Sequence, residues 1–308
     1  MHVHSHGHTI KTVQPDKNRG KKLLWVTLLN FVITAAEIIG GIMSNSLALI
    51  SDALHNLGDA FATLIAYIAH RISGKRASDR KTFGFKRVEI LAALLNSIIL
   101  IVISVYLFVE AYHRFQNPQP IKSKLMLIVA SIGLLANLVS VLILHKGSGE
   151  NINVKAAYLH LLGDTLSSVA VIAGALLIFF YDIFWIDPLI TVLIGGYLLY
   201  ETIKILMQTI EILMQAVPKN VDIDKIKYRL EEVPDIMNIH HIHVWNLNDQ
   251  QVYFECHMDI QHDMALSKAN ELRLEAEEIL LNDLGMSHVT IQMEYNCCAD
   301  KSMVHDKN

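Results

Sequence analysis

The stretch Leu54–Asp59 reads LHNLGD and Leu159–Asp164 reads LHLLGD, the same hexapeptide but for one position. Both copies lie in runs apolar enough to sit inside a bilayer, where an ionisable side chain is costly unless it meets a partner. In each copy the His and the Asp are four residues apart, so on a helix they stack on one face, about 5–6 Å from each other. Each copy is therefore a two-ligand claw, and the fold follows from how the chain brings two such claws together.

Outward from these copies the chain is apolar throughout its first two thirds. Of 308 residues 52% are hydrophobic, and the mean hydropathy of +0.35 is too high for an ordinary soluble protein. Runs near or above the ~20 residues that cross a bilayer fall at about 23–43, 47–70, 88–112, 124–145, 154–180 and 188–210. Beyond Pro218 the pattern turns polar, with short alternating segments, so a small domain of about 90 residues follows, enough for its own core. The expected organisation is a His-rich tail at 1–22, a six-span domain at 23–212, a cytoplasmic metal-binding and dimerisation domain at 217–296, and a C-terminal tail at 297–308. In fold-class terms this is an all-α six-helix transmembrane bundle followed by a small α+β (αββαβ) domain.

Basic residues set the orientation. Lys11, Lys17, Arg19, Lys21 and Lys22 precede the first run, and RISGKRASDRKTFGFKR joins the second to the third, whereas MSNSL and YDIFWID carry no basic residue and the third outer link, around RFQNPQPIKSK, carries a few. Both termini and the polar domain are thus expected in the cytoplasm. The first apolar run is longer than a signal-peptide core and lacks a small-residue cleavage site, so it is expected to stay as a span. Net charge is -4, with the basic clusters at the membrane and acidic residues in the tail domain, which favours the lipid bilayer as a partner and excludes a nucleic-acid module. Three cysteines, Cys256, Cys297 and Cys298, make no disulfide framework.

With both termini on one side, the second and fifth runs cross in opposite directions, the layout of an inverted repeat whose halves meet near the bilayer midplane. His55, Asp59, His160 and Asp164 then supply two imidazoles and two carboxylates, a set suited to tetrahedral Zn²⁺ and unlike the all-oxygen shells of Mg²⁺ and Ca²⁺. Cd²⁺, Co²⁺ and Fe²⁺ are harder to separate on these grounds. A bland alternative pairs each group with a polar neighbour on another helix, but repetition at fixed spacing favours metal. Asp52, Glu37, Asn30 and Asn137 read as helix ties before path-lining groups, and Glu89 and Glu110 as solvated span ends.

The pattern resembles the cation diffusion facilitator family of zinc efflux proteins, in NSLALISDALHNLGDA, KTFGFKRVEILAAL, AYLHLLGDTLSSV, IHHIHVWNL and HVTIQME. The resemblance implies that His55, Asp59, His160 and Asp164 hold the transported ion. His-x3-Asp in both helices is similar to the zinc-preferring branch. Some relatives carry a further metal site in the link between spans two and three, where this chain has Lys81, Phe85 and Lys86, so none is expected here. A His-rich loop between spans four and five is replaced by the short HKGSGENINVK, and the alternating His2, His4, His6 and His8 stand at the N-terminus instead, as a flexible chelator. The expected protein is a Zn²⁺/H⁺ antiporter of the cell (inner) membrane, working by alternating access as a homodimer.

In the polar domain the pattern predicts helix 221–233, strands 239–247 and 251–260, helix 266–284 and strand 288–295, with Gly285 ending the second helix. Alternation sends Ile242, Val244, Phe254, Cys256, Met258, Val289, Ile291 and Met293 to the core. It leaves His241, His243, Glu255, His257, Asp259, His288 and Glu294 on the other face, which is either solvated or metal-binding and also a candidate dimer contact. Resemblance to animal members implies a regulatory site at His243, His257 and Glu294, with Cys297 and Cys298 nearby as thiolate candidates. His288, six residues from Glu294, is about 20 Å away along a strand. Two other function classes share some of these ligands. An intramembrane metalloenzyme lacks its His-Glu-x2-His or multiple His boxes, so no enzyme is expected, whereas a metal sensor without net transport has the same ligand set.

Overall fold

The computed structural model describes residues 17–75, 77–145, 152–297 and 301–303. Six long helices come first: α1 (Lys17–Ser44), α2 (Leu47–Ser73), α3 (Val88–Gln116), α4 (Ser123–His145), α5 (Ile152–Tyr181) and α6 (Ile186–Leu213). They coincide with the six apolar runs, because a backbone in apolar surroundings can satisfy its polar groups only by internal hydrogen bonds. Among the described residues four segments are long and apolar enough to cross a membrane: Val88–Gln116, Ser123–Leu142, Leu162–Tyr181 and Ile186–Leu213. In α1 the described apolar stretch Asn30–Ser44 is shorter, and α2 carries Asp52, His55, Asn56 and Asp59 along its length.

The chain forms two compact units, one built from the described residues of Met1–Phe61 with Val102–Leu199, the other from those of Ala62–Ile101 with Tyr200–Asn308. In the first, α4 packs on both α1 and α5, around a core that includes Leu49, Met126, Val171, Ile178 and Ile194. The turn before α2 is pinned from another helix. The buried Asp187 carboxylate, in the first turn of α6, accepts from Ser46 Oγ at 2.5 Å, Leu47 N at 2.7 Å and Ala48 N at 3.2 Å. Ser46 Oγ itself accepts from Leu49 N at 3.1 Å, and Asp187 adds acceptors for further N–H groups that have no partner within their own helix, where its charge suits the positive end of α2.

In the second unit the polar domain follows as α7 (Ile223–Glu231), β1 (Ile236–Asn246), β2 (Val252–Ile260), α8 (Leu266–Glu278), continued by a π turn over Ile279–Asp283, and β3 (His288–Glu294). Asp222 caps α7 by accepting from Lys225 N, and Gly285 turns the chain out of the helix at φ 71°. β1 and β2 are an antiparallel hairpin, while β3 joins the other edge of β2 in parallel after the α8 crossover, as parallel pairing requires a long connection. Ile226 and Leu230 of α7 and Leu272, Ala276 and Leu280 beyond β2 bury against Ile239, Ile242, Val244, Phe254, Cys256 and Met258.

β1 does not alternate throughout. A register shift lies between His240 and His243, and His241 takes φ 49°, a left-handed conformation uncommon for a non-glycine residue and typical of one kind of β-bulge. The bulge lets Ile239 and Ile242, three residues apart, both reach the core. Its exposed backbone is paired by the C-terminal segment: His241 N–H donates to Ser302 O at 3.2 Å and Ile242 N–H to Met303 O at 2.7 Å. Lys301 Nζ lies 2.5 Å from the buried Asp259 carboxylate, fastening the same segment to β2.

Candidate metal centres

The first centre lies in the apolar helices. His55 and Asp59 project from one face of α2, as their four-residue spacing dictates, and α5 brings Asp164 against them. His55 Nε2 is 3.5 Å from Asp164 Oδ1 and 3.7 Å from Asp59 Oδ2, and one donor atom from each residue fits within 4.8 Å. With Zn–N and Zn–O bonds of about 2.0–2.2 Å, neighbouring donors of a tetrahedral shell stand about 3.3–3.6 Å apart, so the His55–Asp164 spacing is that of a tetrahedral edge and the His55–Asp59 spacing lies just beyond it. His160 belongs to α5 one turn before Asp164, where a fourth ligand would come from; its side chain lies outside the described residues. His55 and Asp164 are buried, and the Tyr197 ring meets the His55 imidazole edge to face at 6.3 Å. A cavity of about 350 Å³ reaches the site, lined by His55, Gly163, Ser167, Leu193 and Tyr197 among others.

Polar residues nearby are tied to other helices. Asp52, two turns before Asp59, accepts from Ser167 Oγ in a short bond and from Ser168 Oγ at 3.2 Å. Asn137 Nδ2 reaches Ser168 Oγ at 3.3 Å, and Asn56 Nδ2 donates to Glu37 Oε2 at 3.2 Å. These bonds link α1 to α2, α2 to α5 and α4 to α5. The Asn30 carbonyl accepts from Thr34 Oγ1 at 2.8 Å within α1. Glu89 accepts from Ser73 Oγ at 2.7 Å, and Glu110 pairs with Arg114 at 3.0 Å.

The second centre is in the sheet. His240, His241 and His257 offer ring nitrogens within 4.8 Å of one another, and Glu294 completes the group, with Oε1 2.8 Å from His257 Nδ1 and Oε2 3.3 Å from His240 Nε2. Burial pushes the His240 imidazole below its ordinary pKa, outweighing the pull of Glu294, a shift toward the neutral form that ligates a metal. Of the residues expected here, His257 and Glu294 are together, while His243 is exposed and sits opposite Glu255 in the hairpin. His240 and His241 instead fall beside His257, because the bulge reverses the alternation. Nothing in the hydrophobic pattern marks a bulge except that two apolar residues, Ile239 and Ile242, are three apart. His288 pairs with Tyr253 at the far end of β3. Cys297 is an exposed free thiol; Cys298 and the N-terminal His2, His4, His6 and His8 lie outside the described residues.

Residues 23–214 match a family model described as the cation efflux transmembrane domain, and residues 218–296 one described as the cation efflux protein, cytoplasmic domain. A zinc transporter ZitB of Pectobacterium atrosepticum is 37% identical over 304 residues, covering 97% of this chain and 91% of that protein. The metal cation efflux system protein CzcD of Cupriavidus metallidurans is 38% identical over 296 residues, 96% of this chain and 90% of its own. A cadmium, cobalt and zinc/H(+)-K(+) antiporter of Bacillus velezensis is 36% identical, covering 87% of this chain and 88% of that protein. All three are named for moving ions, none for catalysis. Helices apolar enough to span a bilayer, a small sheet domain after them and family matches over nearly the whole length lead to one assignment: the chain belongs to the cation efflux, or cation diffusion facilitator, family of membrane transporters.

Proposed function

We propose that this protein exports Zn²⁺ in exchange for protons, by alternating access of a mid-membrane site formed by His55, Asp59, His160 and Asp164. One observation carries the proposal: the near-identical segments of α2 and α5 contribute donors to a single cluster, with His55 3.5 Å from Asp164 and 3.7 Å from Asp59, close to the edge of a tetrahedral shell. The names of the relatives support zinc as cargo and admit cadmium and cobalt. All six long helices cross the membrane, both termini face the cytoplasm, and the membrane is the cell (inner) membrane of a bacterium. The sheet domain pairs two copies into a homodimer. It also carries a regulatory Zn²⁺ site at His240, His241, His257 and Glu294, fed by the N-terminal histidines.

Coupling follows from charge. With two carboxylates ionised and two imidazoles neutral the empty site carries a formal charge of about -2, and an unpaired buried charge costs several kcal/mol. Zn²⁺ cancels that charge, and protons are the other cations able to do so, since imidazole titrates near neutrality. The site therefore crosses loaded with one or the other, and binding of metal releases protons. Proteoliposomes loaded with a zinc indicator and a pH indicator test this. Zinc uptake should be accompanied by opposite proton movement and should follow an imposed pH gradient. A sensor or metalloenzyme would bind zinc and leave the lumen unchanged; a uniporter would move zinc with no proton signal.

A further inference from the structure

The link from α2 to α3 holds a second feature, far in chemistry from the metal centres. Residues 78–88 fold as consecutive tight turns closed by their own backbone, with Ser78 and Lys81 exchanging both hydrogen bonds, Gly84 N–H donating to Lys81 O at 2.8 Å and Val88 N–H to Phe85 O at 3.0 Å. Gly84, at φ 68°, supplies the conformation such a chain of turns needs. Phe83 stacks edge to face on Tyr253 at 5.7 Å, and Tyr253 in turn contacts Trp245 at 5.8 Å. The result is a pocket of about 410 Å³ whose walls include Lys81, Phe83, Lys86, Arg87, Leu91 and Trp245.

Its charge is unbalanced. Lys81, Lys86 and Arg87 fall within seven residues, and no ion pair to any of them occurs among the described residues. Lys86 and Arg87 are half-buried, which removes part of the water that would otherwise satisfy them. Lys81 Nζ lies 4.0 Å over the Phe85 ring, which anchors that cation at the pocket but supplies no counter-charge. Three cations without a carboxylate around a formed cavity ask for an anion. The apolar wall says what kind. Leu91, Leu95 and Ile98, at i, i+4 and i+7 on α3, are all exposed and run from the pocket along a helix apolar enough to span the membrane. A phosphate in the pocket would have its acyl chains beside that stripe, and aromatic rings at this depth are usual partners of headgroups.

We propose that this pocket binds the phosphate of an anionic glycerophospholipid headgroup, from the leaflet in which α3 begins. The proposal rests on α3 as a membrane span and is independent of zinc transport. The test is lipid binding by the full-length protein in neutral detergent, read by native mass spectrometry across a titration of phosphatidylglycerol or phosphatidylcholine, with inorganic phosphate as a competitor. Wild type should prefer phosphatidylglycerol. At about 1 kcal/mol per surface cation, K86Q/R87Q should weaken its apparent affinity about thirty-fold, and Lys81→Gln alone about fivefold, taking 1.4 kcal/mol per tenfold. Both variants should unfold at the wild-type temperature without lipid; if the double variant does not, Lys81→Gln alone decides. Equal binding of the two lipids, or unchanged affinity in the deciding variant, overturns the proposal. Displacement of phosphatidylglycerol by millimolar phosphate also overturns it and makes the pocket a site for free anions.

Discussion

Replacing Asp164 by Ala removes one of the two carboxylates proposed to balance the metal charge. Asp164 is 1% exposed and stands 3.5 Å from His55 Nε2, so no solvent charge can take its place. A Zn²⁺ ion would keep His55, Asp59 and His160, and water can enter the fourth position, as it does in open zinc sites. Coordination number is thereby restored, but charge is not: the loaded site changes from neutral to +1 in an apolar interior. Removing one partner of a buried ionic group costs about 3–5 kcal/mol, which is roughly 10²- to 10⁴-fold in affinity at 1.4 kcal/mol per tenfold. Asp164→Asn keeps the shape and an oxygen donor, so its loss should fall at the lower end of that range. Zinc uptake into proteoliposomes, measured across zinc concentration, should show the half-saturating concentration rising in the order wild type, Asn, Ala. Asp52→Asn is the control, because Asp52 is engaged by Ser167 and Ser168; it should shift half-saturation by less than about tenfold while lowering the unfolding temperature. An Asp164→Ala protein that saturates within threefold of wild type would refute the charge argument and the site with it.

Other expectations concern the rest of the chain. His257→Ala should lower the zinc stoichiometry of the purified protein, counted by elemental analysis after gel filtration, and leave proteoliposome uptake active. Asp187→Ala strips acceptors from Ser46, Leu47 and Ala48; at 1–3 kcal/mol per buried unsatisfied group it should lower the unfolding temperature clearly more than Asp187→Asn, as read by scanning fluorimetry in detergent. Burial pushes the Cys256 thiol up to about 12, so at pH 8 it stays protonated and should resist iodoacetamide in the native protein while the exposed Cys297 is alkylated, with both modified after denaturation, by peptide mass spectrometry. Truncation after Pro218 should weaken dimerisation in light scattering; an equally firm dimer would move the contact into the helices.

The long helices were legible because apolar runs of bilayer length admit few other conformations, and the order α7, β1, β2, α8, β3 because the strands alternate and Gly285 punctuates the chain. The His-x3-Asp of α2 was legible as two donors on one helix face for the same reason: a helix fixes what four-residue spacing means, and α5 brings Asp164 to them. The bulge at His241 was not. It turns on one residue adopting positive φ without being Gly, and it changes which histidines meet, bringing His240 to His257 and turning His243 away. Long-range satisfaction was equally hidden. That Asp187 would cap α2, or that Ser302 and Met303 would pair with β1, depends on partners more than sixty residues off, and no local pattern records them.

The Asp187 clamp also defines a lever. It pins α2 at Ser46, while His55 and Asp59 lie nine and thirteen residues further along, about 13 and 20 Å at 1.5 Å per residue. A tilt of α2 about that fulcrum by about 10° would carry His55 roughly 2 Å and Asp59 roughly 3 Å, displacements as large as a zinc–ligand bond. The arm nearer the pin moves less than the arm beyond it, so a rigid swing opens the cage from the Asp59 side first. Under the proposed alternating access, gating would then require no unwinding of α2, only a small angle multiplied by distance from the clamp.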